Sequence, residues 1–419
     1  MTGRPSLLFL CQTLPYPADS GVAIRTYNVL RILSSAFDIT ALCFYRRKGA
    51  EAPDPRPGLA KLGEFCRVEA FPVPQEHSVA RLAWNHLQGV ARDRVYAAFS
   101  YESRAYTRRL TELLRARHFD LAHVDCMVLC RYFALLGDLP VVAVHHNIES
   151  ALLERRALVE RGWRRAYLAH QARLMEREER RWCARAALNV VVSEADRVRL
   201  QTIVPQAHCA ILPNGVDTIG FRPGVGREDG MIYVGEMGWF PNQDALQYFC
   251  DAILPRVRAA GEQAPVRWVG RASEATRRTY RQRHDVELTG YVPDIRPLVR
   301  DAACYVVPLR VGGGTRVKIL DAWAMGKAVV STSIGCEGLA VEDGRNILIR
   351  DDPDGFARAV CAVLRDGPLR QRLGAAGRRT VEDDYGWEQI GAAMLRSYAA
   401  LLPSAPGRQA RSPAGHAIV

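Results

Sequence analysis

The chain has 419 residues, of which 48% are hydrophobic and 24% charged, so it is long enough for two or three domains with substantial buried cores. This composition excludes a mini-protein and a wholly disordered chain, and no apolar run approaches the roughly 20 residues that a membrane-spanning helix needs. Lysine and arginine number 57 against 45 acidic residues, which gives a formal net charge of +12. A basic chain attracts nucleic acid, anionic lipid or phosphorylated small molecules, and motifs must distinguish these partners.

Two further features of the composition concern location and metals. The apolar burst near the N-terminus is shorter than the roughly 7 to 15 residues of a secretory signal, so we expect a cytoplasmic protein. The 11 cysteines lack the paired spacing of metal ligands. We therefore expect free thiols, no disulfide framework and no metal site.

The first half of the chain alternates between apolar runs and helical patterns. Residues 7–11 predict a strand, and a loop rich in Pro, Asp and Gly follows it through Gly21. From Ala23 onward, apolar residues recur at the spacing of one helix face. Further apolar runs predict strands at 39–45, 121–124, 141–144 and 189–192. This alternation predicts a parallel sheet with crossover helices in a domain that spans residues 1–205.

A long helical stretch over residues 149–185 is rich in arginine. Ten arginines lie between positions 155 and 185, interleaved with aromatic residues such as Trp163 and Trp182. A basic helix with aromatics suits an anionic membrane surface, where a lipid-linked acceptor would be met. The alternative is a solvated helix whose charges also include glutamates. Nucleic acid is not expected, because no recognised binding motif accompanies the charge.

The second half of the chain repeats the same architecture. A turn-rich stretch predicts a linker over residues 206–225. Strands are then predicted at 231–234, 266–269, 286–289, 304–307 and 328–331. These strands indicate a second domain at 226–385, followed by a C-terminal helix at 386–402 and a disordered tail at 403–419. The expected fold class is therefore α/β, with two doubly wound Rossmann-like domains that face each other across a cleft.

The most informative segment follows the predicted strand at 304–307. In doubly wound sheets, ligands bind at the carboxyl ends of strands, and here a glycine-rich turn and a helix N-terminus would favour a phosphate. Arg316 and Lys318 add two positive charges. Lys318 and Asp321 share one helix face, so one element could hold both a diphosphate and a ribose hydroxyl. The turn itself consists of Gly312, Gly313, Gly314 and Thr315, the last of which can cap the helix.

Several motifs, in order along the chain, match one protein family. The matching segments are the Gly21 loop, 144–150 (VHHNIES), 192–194, 213–217 (PNGVD), Gly235, 290–292 and 321–330. Together they make the sequence resemble glycosyltransferase family 4, the retaining sugar transferases of the two-Rossmann-domain GT-B fold. Residues 234–242 and 312–318 further resemble the sugar transferases associated with bacterial exopolysaccharide and exosortase (PEP-CTERM) systems.

The resemblance implies roles for residues on both domains. The catalytic candidates are His146, Arg316 and Lys318. Asp321 would hold the nucleotide ribose, and residues 290–292 would line the base pocket. The full set of implied donor-binding residues is Gly21, Asn147, Gly235, Gly290, Tyr291, Val292, Gly312, Gly313, Gly314, Thr315 and Asp321.

The sequence departs from the family in two places. Most members carry two glutamates in the donor-binding segment, but here Gly313 replaces the first and the shorter Asp321 replaces the second. Most members also place an Arg and a Lys after the first strand of the second domain to hold the diphosphate, whereas this chain offers uncharged or acidic residues such as Asn242. We therefore expect Arg316 and Lys318 to supply that positive charge.

The resemblance implies a hexosyltransferase-like enzyme that moves a sugar from a nucleotide-sugar donor to a saccharide or lipid-linked acceptor and retains the anomeric configuration. The leaving diphosphate would accept the proton, so no protein nucleophile and no cofactor would be needed. The expected setting is bacterial exopolysaccharide or surface glycan assembly, at the inner face of the cytoplasmic membrane. Two alternatives stay open: a nucleotide-sugar epimerase of the same fold, and a non-catalytic nucleotide-sugar-binding protein, which the missing first glutamate permits.

Overall fold

A computed structural model describes residues 4–18, 20–46, 54–74, 79–312 and 316–402. The tail predicted at 403–419 and the turn residues Gly313, Gly314 and Thr315 lie outside the described residues. Strands and helices alternate along the rest of the chain and form two parallel sheets.

The first half of the chain forms a seven-stranded parallel sheet in the order β3-β2-β1-β4-β5-β6-β7. Its strands are β1 (Ser6–Cys11), β2 (Asp38–Tyr45), β3 (Arg67–Pro72), β4 (Leu121–Val124), β5 (Val141–His145), β6 (Leu188–Val191) and β7 (Cys209–Ile211). Alternate residues of β1 enter two different cores, with Leu8 on one side of the sheet and Leu7 and Phe9 on the other. Burial on both faces explains the nearly continuous apolar sequence of the central strands.

The second half forms a six-stranded parallel sheet in the order β10-β9-β8-β11-β12-β13. Its strands are β8 (Met231–Val234), β9 (Val266–Val269), β10 (Val286–Gly290), β11 (Cys304–Val307), β12 (Val329–Ser331) and β13 (Leu348–Ile349). Its core is filled by large side chains such as Trp268 and Trp323, which are fully buried. The predicted α/β fold with two doubly wound sheets is confirmed.

Helices connect the strands, and seven of them begin after a Ser or Asp whose side chain caps the helix. They are α1 (Gly21–Leu33), α2 (Pro55–Gly63), α3 (Val79–Ala91), α4 (Ala97–Ser100), α5 (Arg104–Ala116), α6 (Glu149–Val159), α7 (Gly162–Cys183), α8 (Glu194–Ile203), α9 (Phe240–Tyr248), α10 (Leu254–Ala259), α11 (Glu274–His284), α12 (Arg296–Asp301), α13 (Val317–Ala324), α14 (Pro353–Arg365), α15 (Gly367–Asp384) and α16 (Trp387–Ala399). A π-helical turn (Phe249–Ile253) joins α9 to α10, and 3-10 helices occur at Met127–Leu135 and Ile334–Cys336.

The structure contains three strands that the sequence did not predict, and all three lie at sheet edges. β7 falls inside the predicted linker at 206–225, yet it pairs in parallel with β6. β3 and β13 also close their sheets at an edge. An edge strand is short and only partly covered, so its residues lack the strong apolar pattern of a central strand. The first sheet therefore extends to residue 211, beyond the predicted domain end at 205.

The arginine-rich stretch at 149–185 forms two helices instead of one. α6 ends before Gly162, whose φ of +58° breaks the helix, and α7 begins there and packs back against α6. The large apolar residues Leu174 and Trp182 of α7 are buried in the first core. This stretch therefore lacks the continuous outward apolar face that a membrane-surface helix needs, and the solvated-helix alternative describes it better.

The C-terminal helix α16 returns to the first half of the chain. Met394 and Tyr398 pack in the same core as strand residues of the first sheet, and Tyr398 Oη lies 2.8 Å from His123 Nδ1. The chain thus crosses between its halves twice. The two crossing segments run side by side, since Val216 donates its NH to the carbonyl oxygen of Tyr385 at 2.9 Å.

Gly215→Ala is expected to destabilise the protein at this double crossing. A Cβ at Gly215 would lie 2.5 Å from Cδ2 of Trp387, so the ring or the backbone would have to move, and overpacking of this kind costs about 1 to 3 kcal/mol. Urea unfolding measures the change in free energy. Gly63→Ala is the matched control, because a Cβ there meets open space and the free energy of unfolding should not fall. Equal stability of Gly215→Ala and wild type would contradict this packing.

Candidate functional site

Each sheet has one point at which its strand order reverses, and doubly wound folds bind ligands at the carboxyl ends of the strands there. In the second sheet this point lies between β8 and β11, and in the first it lies between β1 and β4. Gly235 follows β8, and α13 comes after β11. Gly21 begins the helix after β1, and Asp125 directly follows β4. The predicted donor-binding residues Gly21, Gly235 and Asp321 therefore belong to segments that follow strands at these two points.

Contacts between the two halves of the chain bring these two points close to each other. A Cβ on Gly21, at the start of α1, would lie 3.8 Å from Cγ2 of Val317, at the start of α13. Arg155 of α6 donates from Nη1 to the carbonyl oxygen of Gly312 at 2.8 Å. Its guanidinium also forms an ion pair with Glu337 of the second half, with Nη2 lying 2.6 Å from Oε1. Gly312, which follows β11, therefore lies against the first half of the chain.

The carboxyl ends of β8, β9 and β10 carry glycines, and at the first two an added side chain would clash with its neighbours. A Cβ on Gly235 would lie 2.6 Å from Cε1 of Tyr233, and a Cβ on Gly270 would lie 2.2 Å from the carbonyl oxygen of Gly235. Gly290 has a φ of +81° and accepts a hydrogen bond from the NH of Gly270 at 3.2 Å. Glycine is therefore required at these strand ends, by lack of space at Gly235 and Gly270 and by the positive φ at Gly290.

Lys318 extends from the first turn of α13 to the segment after β8. Its Nζ donates to Oη of Tyr233 at 2.5 Å and to Oδ1 of Asn242 at 3.0 Å. Asn242 is itself oriented by its Nδ2, which donates to the carbonyl oxygen of Glu236 at 2.8 Å. Burial, and then the neighbouring Arg316, lower the pKa of Lys318 well below its usual value. The Lys318 ammonium therefore reaches the segment from which the family's usual cations are missing.

Arg316, the second predicted cation, is buried beside the glycine turn. It is only 5% exposed, and its Nη2 donates to the carbonyl oxygen of Ile334 at 3.3 Å. A Cβ on Gly312 would lie 2.6 Å from that same nitrogen. Burial lowers the pKa of Arg316, although the nearby Glu337 opposes this shift. Lys318 is the less buried of the two cations, so it is the better placed to meet a ligand.

Asp321 lies one turn after Lys318 on α13 and is half-buried. Burial raises the pKa of its carboxyl group to about 7. No hydrogen bond or ion pair to the carboxylate of Asp321 occurs among the residues that the structure describes. A carboxylate without a partner is able to accept hydrogen bonds from a ligand hydroxyl, so the arrangement suits the predicted contact with a ribose.

The residues predicted to line a base pocket follow β10. Tyr291 is 51% exposed, and Cζ of Arg271 lies 4.5 Å from the centre of its ring. Val292 is half-buried against the second core. Neither position tests whether these residues line a base pocket, which stays a prediction.

On the side of the first half, His146 and Asn147 follow β5. His146 is buried, and its Nε2 lies 3.5 Å from Oδ2 of Asp125. Asp125 also accepts a hydrogen bond from Oγ1 of Thr26 at 2.8 Å and lies 3.4 Å from Nε2 of His123. Burial alone would raise the pKa of Asp125, but His146 and His123 hold it below its usual value. The imidazole of His146 thus lies close to Asp125, but among the described residues its Nε2 has no hydrogen-bond partner, and its catalytic role stays a prediction.

Three contributors to this site carried no sequence signal that identified them. The apolar pattern of its segment marks Tyr233 only as a buried strand residue. Gly270 is one of several glycines that follow a strand, so nothing in the sequence singles it out. Asp125 is a single acid outside any motif. Its position directly after a central strand is the one feature that could have singled it out.

Metal and membrane features were also sought. The described residues contain no group of three or more His, Cys, Asp or Glu side chains that could hold a metal ion. Among the helices of the described chain, none combines the length and the apolar character required to cross a membrane. All 11 cysteines are free thiols, and most of them are buried.

Two family models match consecutive parts of the chain. The Glycosyltransferase Family 4 model matches residues 20–219, and the Glycosyl transferases group 1 model matches residues 228–366. A lipopolysaccharide core biosynthesis glycosyltransferase, LpsE of Rhizobium meliloti, is 34% identical over 29% of this chain and 35% of its own length. The chain therefore spans about a third of that relative. A phosphatidyl-myo-inositol mannosyltransferase of Mycobacterium leprae is 23% identical over 80% of this chain and 83% of its own length.

Solved structures share the overall architecture at low sequence identity. Sucrose-phosphate synthase from Thermosynechococcus elongatus superposes with a TM-score of 0.68 at 17% identity and covers 94% of this chain and 99% of its own. Anabaena HepE in complex with UDP-glucose superposes with a TM-score of 0.65 at 14% identity and covers 94% of this chain and 99% of its own. These similarities confirm the predicted GT-B arrangement of two Rossmann-like sheets.

Proposed function

We propose that the chain, consecutive parts of which match two glycosyltransferase family models, transfers a sugar from a nucleotide-sugar donor to an acceptor hydroxyl and retains the anomeric configuration. The proposal that the chain binds a nucleotide-sugar donor rests on one observation. The Lys318 ammonium reaches the end of β8 from the helix that follows the glycine turn, and within the described chain no carboxylate pairs with it. A cation at a helix start beside bare glycine backbone suits a diphosphate.

In the proposed reaction, each residue of the site acts by binding and charge. The bond between the anomeric carbon and the diphosphate oxygen breaks, and the acceptor oxygen bonds to that carbon on the same face. The acceptor proton passes to the leaving diphosphate oxygen, so no protein nucleophile is needed. Lys318 stabilises the negative charge that develops on the diphosphate, and Asp321 holds the ribose. Contact between the two halves near Gly21 and Val317 excludes water from the reacting groups.

The proposed setting is bacterial exopolysaccharide or surface glycan assembly at the inner face of the cytoplasmic membrane. The acceptor would be a saccharide or a lipid-linked saccharide. Two relatives support this setting: one is named for lipopolysaccharide core biosynthesis, and the other is named as a phosphatidyl-myo-inositol mannosyltransferase.

A calorimetric screen of nucleoside diphosphates and their sugars tests the donor assignment, followed by incubation of the bound donor with acceptor extracts. Donor consumption that depends on an acceptor, with a product whose anomeric configuration by NMR equals that of the donor, would support the proposal. Release of nucleotide diphosphate without any acceptor would favour the epimerase. Tight donor binding with no turnover in any extract would indicate a non-catalytic binding protein.

Two groups of the site are expected to make donor affinity depend on pH in opposite directions. Asp321, with a pKa of about 7, accepts hydrogen bonds most strongly once ionised, so it should give affinity a limb that rises with pH through that value. The pKa of Lys318 is lowered, and loss of its charge as the pH rises should give a falling limb. Calorimetry with a nucleotide sugar measures this profile, because an esterified diphosphate keeps its charge over the range. Asp321→Asn should abolish the rising limb and keep the falling one, and a variant that keeps both limbs would contradict the assignment.

A further inference from the structure

Helix α3 points its apolar side outward and its polar side inward. Trp84, Leu87 and Val90 are 56%, 58% and 52% exposed. Asn85 is 6% exposed, and the ring of His86 stacks on Tyr96 with 3.8 Å between the ring centres. A surface helix of a globular protein normally has the opposite orientation. The large apolar side chains of α3 are therefore directed away from the protein.

The exposed apolar residues of α3, apart from Leu82 near its start, form one continuous stripe. They recur every three or four positions, so they share a single helix face. We call this face the α3 stripe, and it consists of Ala80, Ala83, Trp84, Leu87, Val90 and Ala91. The orientation is fixed by polar groups on the other side, because Nδ1 of His86 is hydrogen-bonded to Oη of Tyr167 in α7. The stripe cannot turn inward without breaking that contact and exposing Asn85.

The charges around the α3 stripe are mostly positive, and the exposed Asp93 that follows the helix pairs with Arg177. The helix contains no acidic residue, and the exposed Arg81 and Arg92 lie along one border of the stripe. The contact between His86 and Tyr167 places the beginning of α7 alongside α3. There Trp163 is 75% exposed and stands next to the exposed Arg164. An exposed tryptophan with flanking arginines is therefore found on both neighbouring helices.

We propose that the α3 stripe docks on the surface of an anionic lipid bilayer. A bilayer surface offers an apolar layer for Trp84 and Leu87 and negative headgroups for the arginines, so it matches both the apolar character and the charge of this face. A second copy of the chain fits less well, because two stripes face to face would bring their arginine borders together. The inference extends the membrane location proposed above and does not depend on the donor site.

Leu87→Glu tests the proposal by cosedimentation of the full chain with vesicles. Wild type should bind vesicles of phosphatidylcholine mixed with phosphatidylglycerol more strongly than vesicles of phosphatidylcholine alone. Leu87→Glu should bind the anionic vesicles about tenfold more weakly or worse, since one large apolar side chain is lost from the lipid contact. Ile219→Glu is the matched control, because Ile219 is 84% exposed elsewhere on the surface and the charge change is the same. Its vesicle binding should equal that of wild type.

A second readout reports where the contact lies. Brominated phosphatidylglycerol quenches tryptophan fluorescence at short range, so it should quench wild type and quench Trp84→Phe clearly less, while Trp84→Phe still binds vesicles. Equal vesicle binding of Leu87→Glu and wild type would overturn the proposal. So would a wild-type dimer without lipid that Leu87→Glu dissociates, because the stripe would then bind a second copy. Nucleotide binding without vesicles should be unchanged in Leu87→Glu, so a failed donor titration in wild type would count against the proposed function alone.

Discussion

Replacing Lys318 with methionine is expected to weaken binding of a nucleoside diphosphate by about 1.5 to 3 kcal/mol, which is roughly a 10- to 150-fold loss of affinity. The variant removes the ammonium that reaches Tyr233 and Asn242, and with it a charge-assisted hydrogen bond to the diphosphate. Methionine keeps most of the apolar part of the side chain, and Oη of Tyr233 keeps its hydrogen bond to Oδ1 of Asn242, so the fold should persist. Isothermal titration calorimetry measures the affinity.

Lys61→Met is the matched control for this experiment. Lys61 lies on α2 in the first half and pairs with Glu64, so its loss removes the same charge far from the donor site. The affinity of the control should equal that of wild type. If Lys318→Met also bound the diphosphate as wild type does, the ammonium would have no part in donor binding, and the proposed function would lose its main support.

Asp125→Ala is expected to lower the free energy of unfolding by about 3 to 5 kcal/mol, the usual cost of removing one partner from a buried charged pair. Asp125 is 1% exposed, and its removal would leave Oγ1 of Thr26 and Nε2 of His123 without their acceptor in a buried cluster that also contains His146. Urea unfolding measures the loss. Asp138→Ala is the control, because Asp138 is exposed in a loop and its removal should change stability little.

The pH dependence of this difference follows from the direction of the pKa shift. The pKa of Asp125 is lower in the folded protein than in the unfolded chain, so its contribution to stability is complete above about pH 4 and is lost on acidification. The stability gap between wild type and Asp125→Ala should therefore shrink as the pH falls below that value. A gap that stays constant in acid would show that Asp125 is not held ionised by its neighbours.

The central strands could be predicted from the sequence because both of their faces are buried. β1 and β11 have nearly unbroken apolar sequences, and their predicted positions agree with the structure to within a residue. The edge strands β3, β7 and β13 could not be found in this way, since partial exposure weakens their pattern. The orientation of α3 was also unpredictable. An amphipathic sequence shows which residues share a face, but it does not show whether that face turns inward.

The candidate site was predictable only in part. The glycine turn and the charged residues after it stand together in the sequence, so Lys318 and Asp321 could be identified from local spacing. Tyr233 and Asn242 lie far from Lys318 along the chain, and only the order of the strands in the second sheet brings β8 beside β11. The same reason applies to Asp125, whose partners Thr26 and His146 come from other elements.

The return of α16 to the first half restricts how the two halves can move. Two connections that lie side by side, joined by the hydrogen bond from Val216 to Tyr385, form a two-stranded hinge. Such a hinge bends readily about one axis but resists twisting, so opening should resemble the motion of a book. A fragment of the chain that ends before Trp387 would lack α16. The apolar surface of the first half that Met394 and Tyr398 cover would then be exposed to solvent. An independently stable first half would have to include α16, supplied in the same chain or as a separate peptide.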